Sequence, residues 1–212
     1  MSTQRLLTAD HNQPDPALVE RVSKLLQGGG IVAMRTDTVY GLLGSVNRPD
    51  ALRRLVELKV RPVGKPFVLL AQDWITVRSV TSHLTPVARI LGQRYWPGPL
   101  TLILPADENL PEEVTAAGHA VAVRVPGDRL LREIVRATGA ALAAPSANLP
   151  GEMPAATAQQ CLDLFGEGVD LAVDGGPAPL AVASTIVDCC GHDGKVLREG
   201  PVVPTLHELE PS

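Results

Sequence analysis

The sequence predicts an α/β protein, a single domain with a twisted, mostly mixed β-sheet flanked by helices. Three observations predict it. Short apolar runs rich in Val, Leu, Ile and Ala interleave with amphipathic helical stretches from one end of the chain to the other. Gly, Pro and Asp punctuate the junctions between them. No linker, internal repeat, heptad or low-complexity tract divides the 212 residues, so one domain is expected over 16–204, with a polar lead-in over 1–15 and a tail over 205–212.

Pro16 to Gln27 carries Leu18, Val22, Leu25 and Leu26 at helical spacing, with Asp15 as cap and Pro16 in the first turn. Gly28 to Gly30 stop that helix, and Ile31 to Met34 form a strand that empties into the hydroxyls of Thr36, Thr38 and Tyr40. Asp50 is the expected cap of a helix over 51–59 with Leu52, Leu55 and Val56 inward, ended by Pro62. Pro66 to Ala71 is a buried-type strand, and 85–95 a helix. Trp96-Pro97-Gly98-Pro99 is a rigid turn with Trp96 as packing anchor, followed by a strand over 100–104 and a loop over 105–119. Ala120 to Val125 reads AVAVRV, with three valines on one face and Arg124 on the other. A helix over 129–138 opens on Pro126-Gly127-Asp128 and closes at Gly139; a strand over 140–144 runs into Pro145-Ser146-Ala147-Asn148. The rest is a helix over 157–165 and strands over 171–173, 183–188 and 195–198.

Apolar residues are 45% of the chain and charged ones 20%, enough for a sizeable core; aromatics are only 3%, so that core is aliphatic. The net charge of −4 excludes a global pull on nucleic acid, and any anion site must be a local cation cluster. Cys161, Cys189 and Cys190 match no zinc spacing and no disulfide framework, and read as reduced and mostly packed. The five histidines are scattered and read mostly as surface residues. Walker, GxGxxG, HExxH and GxSxG patterns are absent, so any catalysis works by positioning and electrostatics rather than a covalent nucleophile. No apolar signal core or membrane-length run is present, which predicts a soluble cytoplasmic protein with no membrane contact.

One stretch concentrates chemistry. The hydroxyls of 36–40 are followed by Lys59, Arg61 and Lys65, an arrangement suited to an anionic small substrate, since charge-assisted hydrogen bonds contribute roughly 1.5–3 kcal/mol each. Offsetting a helix dipole accounts for Lys59 and Arg61 only in part, at about 0.3–1 kcal/mol. Arg124 needs a partner inside an apolar strand, either a protein carboxylate or that of a ligand. Ser146 and Asn148 follow a strand end, where α/β sheets bind ligands.

TDTVYGL (36–42), KVRP (59–62), WPGPLTLIL (96–104), VAVRVPGD (121–128), APSAN (144–148), STIVD (184–188) and LREGP (197–201) stand in an order that resembles the YrdC-like family of threonylcarbamoyl-AMP synthases, over roughly Gln27 to Pro204. The resemblance implies a YrdC-like fold around a deep concave substrate cavity. It implies a reaction in which L-threonine, bicarbonate and ATP give threonylcarbamoyl-adenylate and pyrophosphate. A separate tRNA threonylcarbamoyl transferase machinery then modifies the adenosine next to the anticodon, with weak or indirect RNA contact by this chain. It implies that Lys59 and Arg61 hold ATP phosphates and the carbamate-forming anion, and that Ser146, Asn148 and Arg198 contact the nucleotide. Thr38, Arg124 and Ser184 are implied for threonine, with Ala144 contributing backbone. Mg2+ is expected with ATP, without a dedicated carboxylate cage. The chain departs from the family pattern at Arg35 (commonly Pro), Ala183 (often Glu) and Glu199 (commonly Pro), and it resembles the short form of the family.

Two other readings share these residues. A non-enzymatic RNA-binding module would use the Lys59–Arg61–Lys65 cluster on phosphates, against which stand the acidic charge and the few aromatics. A paralogue with another carbamoyl acceptor is the third.

Overall fold

The computed structural model describes residues 5–60, 66–115 and 118–210. In chain order the elements are β1 (Leu6–Thr8), α1 (Pro16–Gln27), β2 (Val32–Arg35), β3 (Tyr40–Ser45), α2 (Pro49–Leu58), β4 (Val68–Leu70), α3 (Trp74–Arg78), α4 (Pro86–Tyr95), β5 (Leu100–Pro105), α5 (Glu112–Thr115), β6 (Ala120–Arg124), α6 (Arg129–Thr138), β7 (Leu142–Ala143), α7 (Ala158–Phe165), β8 (Leu171–Asp174), β9 (Thr185–Asp188), β10 (Lys195–Arg198) and α8 (Leu206–Leu209). The strands join in one mixed sheet, ordered β1-β8-β2-β3-β7-β4-β6-β5-β9-β10. The β1/β8, β2/β8, β4/β6 and β5/β9 pairs are parallel; the others are antiparallel. The expected class holds.

The sheet separates two aliphatic cores. Val32, Met34 and Leu43 face α1 and α6 with Leu26, Leu130 and Ile134. Ala33 and Leu42 face the other way, against Leu52 and Leu55 of α2, Leu91 of α4 and Phe165 of α7. Covering both faces is why the central strands read as unbroken apolar runs. Each fully buried Leu, Val or Ile contributes roughly 1.5–3 kcal/mol.

The caps explain where helices start. Asp15 accepts from the Ala17 N–H with Pro16 at the first helical position, Asp128 from Leu131, and Thr157 from Gln160. Gly139 ends α6 at φ 75°, a left-handed conformation that disfavours a Cβ. Asp50, expected as a cap, instead lies in the first turn of α2. The rigid φ of Pro49 starts the helix two residues earlier, and Asp50 pairs with Arg48 at 2.9 Å. Pro62 lies outside the described residues.

Several segments differ from the sequence reading. Leu6–Thr8, inside the polar lead-in, pair with β8, because a parallel neighbour supplies the ladder that three residues cannot make alone. Tyr40, read with the hydroxyls of the loop, instead opens a fully buried strand, Tyr40–Ser45, that has no alternation to betray it. The short helices α3 and α5 fall in stretches read as connections, and α8 falls in the expected tail. The strand expected over 140–144 shortens to two residues. Trp96 is the anchor expected, its indole N–H donating to the Leu100 carbonyl at 2.7 Å beside Trp74. Cys161 and Cys189 are buried with their thiols pushed up to about 12 by burial, whereas Cys190 is exposed. His11 is buried against Asp128 at 2.5 Å; the other four histidines are exposed, as expected of most.

Candidate active site

Five segments remote in sequence meet at one cavity of about 200 Å³. The β2–β3 turn brings Thr36 and Thr38, and the end of β6 brings Arg124. The turn after β7 brings Ala144 and Ser146, the entry to β9 brings Ala183 and Ser184, and the end of β10 brings Arg198. These are mainly strand C-terminal ends, where main-chain pairing stops and side chains are released.

Arg124 is 4% exposed. Its Nη1 donates to Thr38 Oγ1 at 2.8 Å, its Nη2 lies 3.4 Å from Asp37 Oδ1, and its Nε has no partner. Asp37 in turn accepts from the Gly127 N–H at 2.9 Å, so one carboxylate ties the β2–β3 turn to the end of β6. A Cβ on Gly127 would stand 3.2 Å from that carboxylate. Thr36 Oγ1 lies 2.9 Å from Thr38 Oγ1 and accepts the Thr38 N–H at 3.0 Å, which fixes both hydroxyls. Burial pushes the Arg124 pKa down, opposed by Asp37 and Asp128. The protein-carboxylate partner expected for this arginine is therefore present, and the guanidinium still lines the cavity.

Arg198 donates to Ser184 twice, from Nε to the carbonyl at 2.9 Å and from Nη2 to Oγ at 3.1 Å. Thr101 Oγ1 holds the same Ser184 hydroxyl at 2.8 Å. The residue is exposed overall on the edge strand, with its head folded back into the cavity. Burial and then the charge of Arg124 push its pKa down. Two guanidiniums that repel across a small cavity make a place that an anion stabilises.

Lys59 sits just past α2 and is buried. Its ammonium donates to the Ser146 carbonyl at 2.7 Å, to Asn148 Oδ1 at 2.8 Å and to the Asn148 carbonyl. Ser146 Oγ donates to Asn148 Oδ1 at 2.6 Å, and the Asn148 amide donates to the Glu152 carbonyl at 2.8 Å. The sequence reading gave Lys59 to an anion; here its charge organises the turn that presents Ser146. Arg61 and Lys65 lie outside the described residues.

Of the residues that sequence reasoning named, Arg124, Thr38, Ser184, Ser146, Ala144 and Arg198 line the cavity, whereas Lys59 and Asn148 stand behind the Ser146 turn and do not. That reasoning passed over Asp37 and Thr101. The TDT triplet was the available signal for Asp37, a carboxylate between two site hydroxyls. Thr101 gave none, being one polar residue in an apolar strand. Tyr40 was noted as a hydroxyl; its OH donates to the Gly176 carbonyl at 2.8 Å, and burial raises its pKa to about 12. Arg35, in place of the family's proline, donates to the Pro177 carbonyl at 3.0 Å.

The geometry meets known proteins at this point. The model of the Sua5, YciO and YrdC family, described as telomere recombination, matches residues 24–200. The chain belongs to that family. It is 39% identical over 173 residues to the threonylcarbamoyl-AMP synthase of Thiobacillus denitrificans, covering 82% of this chain and 90% of that one. With the synthase of the same name from Bacillus subtilis it is 35% identical over 206 residues, covering 96% of this chain and 58% of that one. A crystal structure of Pyrococcus abyssi Sua5 complexed with L-threonine superposes with a TM-score of 0.86 at 28% identity, over 91% of this chain and 56% of that one. This Sua5/YrdC-family chain thus spans nearly all of one relative and little more than half of the other two. Among its described residues, no helix is long and apolar enough to cross a membrane.

Proposed function

We propose that this chain makes L-threonylcarbamoyladenylate from L-threonine, bicarbonate and ATP, with release of pyrophosphate, in the cytoplasm. The product supplies threonylcarbamoyl modification of adenosine next to the anticodon in tRNA. The observation that carries this reading is the convergence of Arg124 and Arg198 with Thr38, Ser146 and Ser184 on one cavity, in a family whose relatives are named for that synthesis. The Pyrococcus relative's complex with threonine supports the amino acid as substrate.

The chemistry needs no covalent enzyme group. The threonine amine and bicarbonate combine as a carbamate with loss of water, and a carbamate oxygen attacks the α-phosphorus of ATP, breaking its bond to the bridging oxygen so that pyrophosphate leaves. Both steps bring like-charged anions together, and repulsion between them is what fixed cations remove. In this reading Arg124 takes the threonine carboxylate, with Thr38, Ser184 and the Ala144 backbone around it. Arg198, Ser146 and Asn148 face the nucleotide. Arg61 takes phosphate oxygens, and Lys59 holds the Ser146–Asn148 turn and adds positive potential beside it. Among the described residues no group of three or more His, Cys, Asp or Glu is placed to hold a metal, and Asp37 is engaged by Arg124 and Gly127. Mg2+ enters as the ion on the ATP phosphates, and no step is derived through it. The transferase that consumes the product, and any RNA contact, belong to the same proposal.

The test is a reconstitution with ATP, L-threonine and labelled bicarbonate. Pyrophosphate and labelled adenylate are expected only with all three present. Lys59→Ala and Arg61→Ala should abolish formation, and Arg124→Ala should raise the threonine concentration required. Pyrophosphate release indifferent to threonine, or no adenylate from the wild-type protein, overturns the reading.

A further inference from the structure

We propose that residues 177–183 form a strap that folds across the occupied cavity, hinged at a fixed end held by Arg35 and Tyr40. The inference rests on the proposed reaction for its purpose, though not for its geometry. Just before the strap, the Tyr40 hydroxyl donates to the Gly176 carbonyl at 2.8 Å, and at its first residue Arg35 Nη1 donates to the Pro177 carbonyl at 3.0 Å. Just after it, Ser184 is fixed by Arg198 and Thr101. Between these anchors, residues 178–183 make no hydrogen bond to any described residue. A span without main-chain bonds, tied at both ends, opens and closes at low free energy.

The strap's composition suits a lid. Leu180 is 41% exposed and Val182 52%, although both are aliphatic. Ala181 sits between them at φ 52°, a left-handed conformation that alanine rarely keeps. Ala183, at the strap's end, already lines the cavity, and Pro154 lines it from the loop after Asn148. Beside Pro154, Met153 is 82% exposed. Two apolar rims therefore belong to one polar cavity, and bringing them together buries both. Closure also excludes water from a carbamate and a mixed anhydride that water destroys.

Amide hydrogen exchange on the full chain tests this, read without ligand, with ATP, and with ATP plus L-threonine. Protection at 178 and 180–183 is expected when both ligands are present. Leu180→Asp with Val182→Asp should leave thermal stability unchanged, since both residues are exposed, while lowering kcat/KM about tenfold or more and raising AMP released per adenylate retained. Arg35→Ala should weaken the protection of the same amides once both ligands are bound. Unchanged exchange on ligand binding, or a double variant that turns over and couples as the wild type does, overturns the strap. If the wild-type protein makes no adenylate, the reaction reading fails separately, and exchange with ATP and L-threonine both present still decides the strap.

Discussion

Asp37 shows how much rests on a residue that stands behind the cavity wall without lining it. Its carboxylate is the one protein anion in ion-pair reach of Arg124 among the described residues, and its second oxygen holds the Gly127 N–H. Asp37→Asn keeps the shape and that hydrogen bond but turns an amide N–H toward the guanidinium, leaving a buried charge unbalanced. The expected loss is about 3 kcal/mol of stability, seen as a lower urea midpoint at constant slope. The threonine KM should rise with it, because Arg124 loses the partner that aims it. A midpoint within error of the wild type would show that the Thr38 bond alone holds Arg124. Arg124 and Ser146 were legible in the sequence, being a charge stranded in an apolar strand and a polar turn past a strand end. Lys59 was legible as a cation but not as the clamp of that turn, since the carbonyls of 146 and 148 and the Asn148 side chain that it holds lie 87 and 89 positions on.

At the scale of elements, the helices with strong local signals came out nearly residue for residue. α1 has its Asp15 cap, Pro16 and Gly28; α6 has Asp128 and Gly139; β10 runs Lys195–Arg198 as read. What failed were short elements that live on neighbours, such as β1 on β8 and α8 on α4. α8 has its own anchor. Glu208 accepts from the Thr205 N–H at 2.7 Å and the Tyr95 hydroxyl at 3.0 Å, and pairs with Arg94 at 2.7 Å. Glu208→Ala removes a capping-box carboxylate and the Tyr95 partner together, so a loss of about 1–2 kcal/mol is expected. Hydrogen exchange should localise the loss to 205–210 and the C-terminal end of α4; an unchanged exchange pattern there would show that α8 is held by Leu209 packing instead.

For the whole molecule, the cavity exists only because the sheet order sets β2, β6, β7, β9 and β10 ends around one point. A ligand bound there touches segments from Thr36 to Arg198, so it should stabilise the domain as a unit. ATP alone at 100 times its Kd should add about 2.7 kcal/mol and raise Tm in a single transition. A shift confined to part of a split transition would mean the cavity's walls unfold independently. By itself, the sequence determined the α/β class, the boundaries of the strongly capped helices α1 and α6, the aliphatic core and which side chains were chemically out of place. Those follow from periodicity, capping and the free energy of burying charge, all of which act over a few residues. Only the tertiary structure decided that Asp37 pairs with Arg124, that Lys59 clamps the Ser146–Asn148 turn, and that two arginines 74 positions apart share a cavity. Strand order and loop closure set those contacts, and no local preference along the chain encodes which distant ends the sheet will bring together.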